Sequence, residues 1–520
     1  MDQHPVIAAF LRAMRPPGEN TVDTAHDLST LRVTGSGALP SVFPVTELAV
    51  AAIATAAHAL SDYMGQQFGH APQVTVDRRL ASFWFASTLR PQGWQLPSAR
   101  DPITGDYATR DGWIRIHANA PHHRDAALAV LQCPPVPEAI SRAISHYHAS
   151  ELEEIMVAAG ACAAAMRTPR EWASHPQGKA VSSEPVFAVH RYAVRSASRP
   201  RPDSPGATTD DIGHRQASTG SALPDQPFGN YHPLEKPADL ATPDRPLAGL
   251  RVLDLTRVLS GPVCTRFLAG YGAQVLRIDP PFWNEPGLEP EMTLGKRCAG
   301  LDLRIPSHML QLRGLLADAD VLVHGYRPEA LARLGLGEAE RQAIRPGLID
   351  VCLDAYGWTG PWQNRRGFDS LVQMSCGIAW AGMTDSDRNS DDDSSSHTHI
   401  PSSPPAPLPV QALDHATGYL MAAAVLRALS DQMGTECGSM TRLSLARTAC
   451  LLMSEPAQVS DTLAPETEDD WAEAVEMTEW GPPAVSRPHA SSMMCLCTGT
   501  APQPLYGHTP PHGKVKTKPP

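Results

Sequence analysis

The sequence predicts an α/β protein: a Rossmann-like parallel sheet with crossover helices, joined to a smaller α+β domain. Three observations lead there. From Leu250 onward, short apolar runs of strand length alternate with helical patterns, the signature of strand–helix–strand crossovers. Earlier in the chain, Val45–Tyr63 is Ala-rich with helical periodicity, while Asp111–His117 (DGWIRIH) reads as a turn followed by a strand. Apolar content of 42% and charged content of 19% over 520 residues suit a globular chain of two or three domains.

In the first block, VTVDRRLASFW within Pro72–Trp84 reads as a strand leading into a helix. Helices are expected at Arg124–Leu131 and Glu151–Ala159, a short strand from Gly160, and a helix starting at Thr168–Pro169. The second block opens with Leu250–Leu255 (LRVLDL), a near-continuous apolar run of the buried parallel kind. Ser260 is expected to cap the next helix, with Pro262 in its first turn, and Gly270–Gly272 to end it. Strands at Ala273–Ile278, Val321–His324 and Leu348–Tyr356 then alternate with helices at Leu310–Asp318 and Pro328–Leu334. One arrangement occurs twice. Val45-Thr46-Glu47-Leu48 and Ala412-Leu413-Asp414-His415 each open an Ala-rich helix, followed by a strand-to-helix piece (VTVDRRLASFW and MTRLSLARTACLL). This is a partial duplication.

Fifty prolines are unevenly placed. Residues 196–245 are rich in Pro, Ser and Asp and read as a linker; Asp385–Pro407 reads as an inserted loop, and the tail from 454 as irregular. Ten scattered cysteines without CxxC spacing point to a reducing compartment, and no metal site is expected. A net charge of −12 disfavours nucleic acid as a partner. No apolar run reaches membrane-spanning length, and MDQHPVIAAFLRAMRPP lacks a secretory pattern. The expectation is therefore a cytoplasmic protein without a membrane partner, with mitochondrial and peroxisomal placement left open.

After Leu255 comes TRVLSGP, which has one glycine where a dinucleotide fingerprint has three, so NAD or FAD is not expected. A strand end facing a helix N-terminus is still an anion crevice. PLAGLRVLDLTRVLSGP, GAQVLRID, GKRCAGLDLR, ADADVLVHGYRPEALARLGLG and YGWTGPWQNRRGFDSLVQMSCGIAWAGM resemble, in order, motifs of the class III CoA-transferases. DGWIRIH and CAAAMRTPREWASHPQG resemble that family's later portion, so the halves stand in inverted order. The resemblance implies the class III CoA-transferase fold. It divides the chain into a partial unit with connecting helix and smaller domain (1–195), a linker (196–245), a Rossmann-like CoA-binding unit with insert 385–407 (246–453), and the tail 454–520.

The resemblance also implies transfer of coenzyme A between an acyl-CoA and a small carboxylic acid through an aspartyl intermediate, with CoA as substrate and no tightly bound cofactor. A homodimer, interlocked or with part of that interface satisfied within the chain, goes with it. Three aspartates compete as nucleophile. Asp385 has the expected spacing after Gly382; Asp414 opens the Ala-rich helix at a position resembling the acidic residue that serves as a catalytic base in the related 2-methylacyl-CoA racemases, with a capping role as the alternative; and Asp369 matches a family residue that orients structure. Val258, Leu259 and Ser260 match positions that hold adenine and ribose. Lys296, Arg297, Arg327 and Arg333 are the candidate phosphate ligands, with solvated surface charges as the alternative. Phe368 stands where the related acyl-CoA racemases have a histidine, which counts against a racemase or epimerase; His415 is expected to face solvent. A catalytically silent CoA-binding protein is the remaining alternative.

Overall fold

The computed structural model describes residues 4–15, 29–98, 100–192, 240–383, 403–435, 437–458, 460–475 and 483–486. Asp385 and nearly all of the expected linker and insert lie outside these residues.

At the centre is a seven-stranded sheet in the order Arg297–Gly300, Gln274–Asp279, Arg251–Leu255, Val321–His324, Ile349–Asp354, Gly438–Ser444 and Ala188–Tyr192. The first six strands run parallel, and the last is antiparallel to its neighbour. The inner strands are buried along their length, which is why LRVLDL and VLVH read as continuous apolar runs. From Arg251–Leu255 the chain builds outward to one edge, then returns to Val321–His324 on the other side. A topological switch point therefore lies where Leu255 is registered with His324. Ligands of such sheets bind outside the carboxyl ends of the strands at that point.

The antiparallel edge strand comes from the first block, so the border expected near 195 does not separate two independent sheets. Sequence reading assigns no strand to Ala188–Tyr192. Its three central residues are exposed, so no apolar alternation announces it.

The smaller domain is a three-stranded antiparallel sheet, Gly105–Ala108, Trp113–Ile116 and Ala163–Ala165. The helices Pro121–Leu131, Pro137–Ile144 and Ala149–Ala158 cover it, closing a core around Ile114, Ile116, Ile140, Leu152 and Met156. This domain is tied to the second block by polar contacts. Gln177 donates to the carbonyls of Tyr356 and Thr359, both at 2.8 Å, and accepts from the Trp362 N–H at 2.6 Å. Glu153 pairs with both Arg167 and Arg365.

The duplication has a structural counterpart. Val45–Phe68 and Ala412–Thr435 are each helices of 24 residues, and they pack against each other in one core. Each is followed by a strand that pairs in parallel, Val74–Asp77 and Gly438–Ser444, and then by a helix. In both copies the last strand residue caps that helix: Asp77 accepts from the Leu80 N–H, and Ser444 from the Arg447 N–H. Among the described residues no helix is long and apolar enough to cross a membrane.

Candidate active site

The loop leaving Leu255 carries the first candidates. Val258 has φ of 67°, a left-handed conformation that a β-branched residue rarely adopts. Its N–H donates to both carboxylate oxygens of Glu285 at 3.0 and 3.1 Å. Leu259 and Ser260 are buried behind it. The helix Ser260–Gly270 has Leu259 at its cap position and no side-chain cap bond, so Ser260 does not cap it. Ser260 lies one residue too far along, and its Oγ is buried without a hydrogen-bond partner among the described residues. Gly261 is required here, because any Cβ would overlap the Thr256 side chain. Across the switch point, Arg257 donates to the Tyr326 hydroxyl at 2.8 Å and lies over the Trp283 ring, 4.9 Å from its centroid.

The four basic candidates separate. The Lys296 side chain is 0% exposed and donates to Asp254 (3.2 Å), Thr265 Oγ1 (2.6 Å) and the Pro262 carbonyl (3.0 Å), so its charge is matched inside the fold. Burial alone would raise the Asp254 carboxyl; Lys296 and the Thr256 and Thr265 hydroxyls outweigh it and hold it below the usual range. Arg297 lies on the exposed edge strand. Arg333 is exposed and pairs with Glu329 one helical turn away. Arg327 follows the strand beside the switch point, donating to the Asn364 carbonyl at 3.1 Å, and Arg366 donates to the Gly160 carbonyl at 3.3 Å. Burial, then Arg366 and Arg333, press the Arg327 guanidinium below its ordinary value, the mark of a cation cluster.

The acids come together deeper in. Asp369 accepts from the Asp414 N–H at 3.0 Å and from the Gln373 side-chain amide. Asp369 thus holds the start of the helix Ala412–Thr435, the capping task that was the alternative reading for Asp414. Asp414 is 7% exposed, and no donor is paired with its carboxyl among the described residues. Burial, then the neighbouring Asp369 charge, push the Asp414 carboxyl well above the usual range. Burial likewise pushes Asp369 up to about 6, against the hydrogen bonds it accepts. Gly418, one helical turn from Asp414, seats on the Ser260 carbonyl, where a Cβ would collide. That contact brings the acid pair to the inner end of the Val258–Ser260 loop.

A histidine cluster from the smaller domain, unmarked in the sequence reading, closes the site. The His117 ring stacks on Phe368 with centroids 3.7 Å apart, and His123 meets the same ring edge-on at 5.9 Å. His122 lies against His123 at 4.0 Å and Trp283 at 6.3 Å. Pro-His-His-Arg at 121–124 was a local signal, but only the fold brings it to Phe368. His415 does not face solvent: it is buried and stacks at 5.3 Å on Phe85, the residue that ends the helix Arg78–Trp84. Burial pushes its imidazole down to about 4.

Comparison with known proteins bears on this arrangement. Residues 247–476 match CoA-transferase family III. Acetyl-coenzyme A transferase nodX of Hypoxylon pulicicidum is 41% identical over 145 residues, which are 27% of this chain and 24% of that protein. Succinyl-CoA--D-citramalate CoA-transferase of Chloroflexus aurantiacus is 34% identical over 149 residues, covering 26% of this chain and 37% of that protein. The crystal structure of Rv3272 from M. tuberculosis aligns with 41% of this chain and 57% of its own, at 27% identity and a TM-score of 0.34. The chain spans from 24% to 37% of the length of these two curated relatives.

Proposed function

We propose that this chain, which belongs to CoA-transferase family III through residues 247–476, moves coenzyme A between an acyl-CoA and a carboxylic acid, with Asp414 as the nucleophile. The observation that carries this reading is the state of Asp414. Its carboxyl is buried, has no paired donor among the described residues, and lies against a second acid whose own lone pairs are engaged.

The Asp414 carboxylate adds to the thioester carbonyl; the new C–O bond forms, the C–S bond breaks, and CoA leaves as thiolate. The thiolate then attacks the Asp414 carbonyl of the mixed anhydride, releasing the first acid as carboxylate and leaving an aspartyl-CoA thioester. The second acid repeats these steps in reverse, and Asp414 is regenerated. One difficult exchange becomes a series of easier ones through a covalent enzyme species. Desolvation makes the ionised Asp414 a stronger nucleophile, while the pair with Asp369 limits how much of it is ionised.

Coenzyme A would lie over Val258–Ser260 with its phosphates toward Arg327 and Arg366, whose guanidiniums donate to backbone carbonyls, and toward Arg257, which donates to the Tyr326 hydroxyl and lies 3.9 Å from the Asp279 carboxylate. Glu285 already accepts the Val258 N–H, so the loop backbone there is not the phosphate site. The polar seam around Gln177 and Glu153 supports a reordered unit in which residues 1–195 supply the smaller domain. The packing of the two Ala-rich helices supports part of the family's interlocked contact being satisfied within one chain.

Asp414→Asn tests the assignment. Acyl transfer is expected to fall about 1,000-fold or more while CoA affinity stays within about twofold, as for a residue acting only in the covalent steps. Transfer surviving in that variant moves the nucleophile elsewhere.

A further inference from the structure

We propose that Glu285 is a positioning residue for coenzyme A: its carboxylate locks Val258 in the left-handed conformation and so fixes the shape of the Val258–Ser260 loop. The inference rests on the transfer reading above, in which CoA lies over that loop, and adds to it the residue that sets the loop before CoA arrives.

Among the described residues, Gln132 (φ 49°) and Val258 (φ 67°) are the non-glycine residues with positive φ. Gln132 ends the helix Pro121–Leu131, where a left-handed residue is ordinary. Val258 ends no helix and is β-branched, so its conformation persists only if the surroundings impose it. Glu285 meets it from one side: both carboxylate oxygens accept the Val258 N–H, at 3.0 and 3.1 Å. On the other side Leu259 is buried in the core. The rotation about Val258 is thus held at both ends. Glu285 is itself held. Its side chain is 8% exposed, and Arg277, 0% exposed, donates to it at 3.0 Å and to Asp279 at 2.8 Å. The Glu285 N–H donates to Glu289 at 3.1 Å. Farther along the same segment, Glu291 accepts from the Thr88 N–H at 2.7 Å, which anchors the segment on the first block. A buried ion pair adds little to stability by itself. What this one supplies is a fixed acceptor for a single strained N–H. The consequence reaches beyond CoA, because the Ser260 carbonyl seats Gly418, one helical turn from Asp414. A loop relaxed to negative φ would move the CoA surface and that contact together.

The test is a double-mutant cycle on the full chain, with CoA affinity read by calorimetry and folding by thermal unfolding. Glycine enters the left-handed region freely, so Val258→Gly removes the need for a clamp. We expect Glu285→Ala to weaken CoA binding about 5- to 100-fold with Val258 in place, and less than about threefold in the Val258→Gly background. Glu285→Gln keeps an oxygen that can accept the N–H and should recover most of the loss seen in Glu285→Ala. A merely structural pair with Arg277 would instead cost the same in both backgrounds. Equal losses in both backgrounds, Glu285→Gln as weak as Glu285→Ala, or no CoA binding by wild type would overturn the proposal. Where Glu285→Ala does not fold, adding Val258→Gly should restore folding, and its failure to do so overturns the proposal equally. Wild type that binds CoA but transfers nothing sinks the transfer reading alone. An unrescued Glu285→Ala, in a chain that transfers through Asp414, sinks this one alone.

Discussion

At the residue scale, environment separates side chains that look alike in the sequence. Asp369 and Asp414 differ little in sequence context, yet one is committed to hydrogen bonds and the other is not. Burial raises Asp369 to about 6 from an ordinary value of 3.8, so the folded protein keeps its proton to higher pH than the unfolded chain does. Its contribution to stability is therefore present below about 4 and is lost as pH rises through about 6. Thermal unfolding across that window should show Asp369→Asn gaining on wild type as pH rises; a parallel dependence in both proteins contradicts it. Transfer should fall in acid as the pair protonates, with the limb displaced above the ordinary carboxylate range. At Val258, φ of 67° inverts the usual order of substitutions. Glycine there should be at least as stable as alanine, by about 0.5–1 kcal/mol, since it relieves the left-handed strain that alanine keeps. Denaturant titration of the two variants checks the sign.

At the scale of elements, the second Ala-rich helix sets the site, and one glycine sets the helix. Replacing Gly418 by alanine improves helix propensity by about 1 kcal/mol. It also drives a Cβ into the Ser260 carbonyl and to 2.8 Å from Val263 Cβ. Overpacking of that kind costs about 1–3 kcal/mol, so the clash wins. Gly418→Ala should lower the unfolding midpoint and reduce transfer together; a midpoint that rises contradicts the packing described. The elements themselves were largely legible in the sequence. Leu250–Leu255, Val321–His324 and both Ala-rich helices lie where their apolar patterns put them, because buried parallel strands and long helices leave strong periodic signals. The exposed edge strand Ala188–Tyr192 left none. The site was legible only in part. Motifs name Asp414 and Val258–Ser260 only as candidates; local spacing does not report burial, and Lys296, another candidate, is matched by Asp254 some forty residues away. The histidines around Phe368 come from a domain separated from it by about half of the chain, a proximity no local pattern encodes.

At the scale of the whole molecule, the two halves are packed into one body. The first supplies the edge strand of the central sheet, the histidines over Phe368, and the Gln177 and Glu153 seam. A protease site introduced within 196–239 and cut after folding should therefore leave the halves co-eluting and active; separation on size exclusion contradicts that account. The duplicated helices are not equivalent chemically. Glu47 occupies the place in the first copy that Asp414 holds in the second, and it is closed by its ion pair with Arg78. The proposed function therefore expects one nucleophile per chain. The most direct measurement is hydroxylamine trapping of the chain during turnover with an acyl-CoA, read by peptide mass spectrometry. The account predicts a single hydroxamate per chain, on Asp414; a hydroxamate on Asp385, Asp369 or Glu47, or none under turnover, would contradict it.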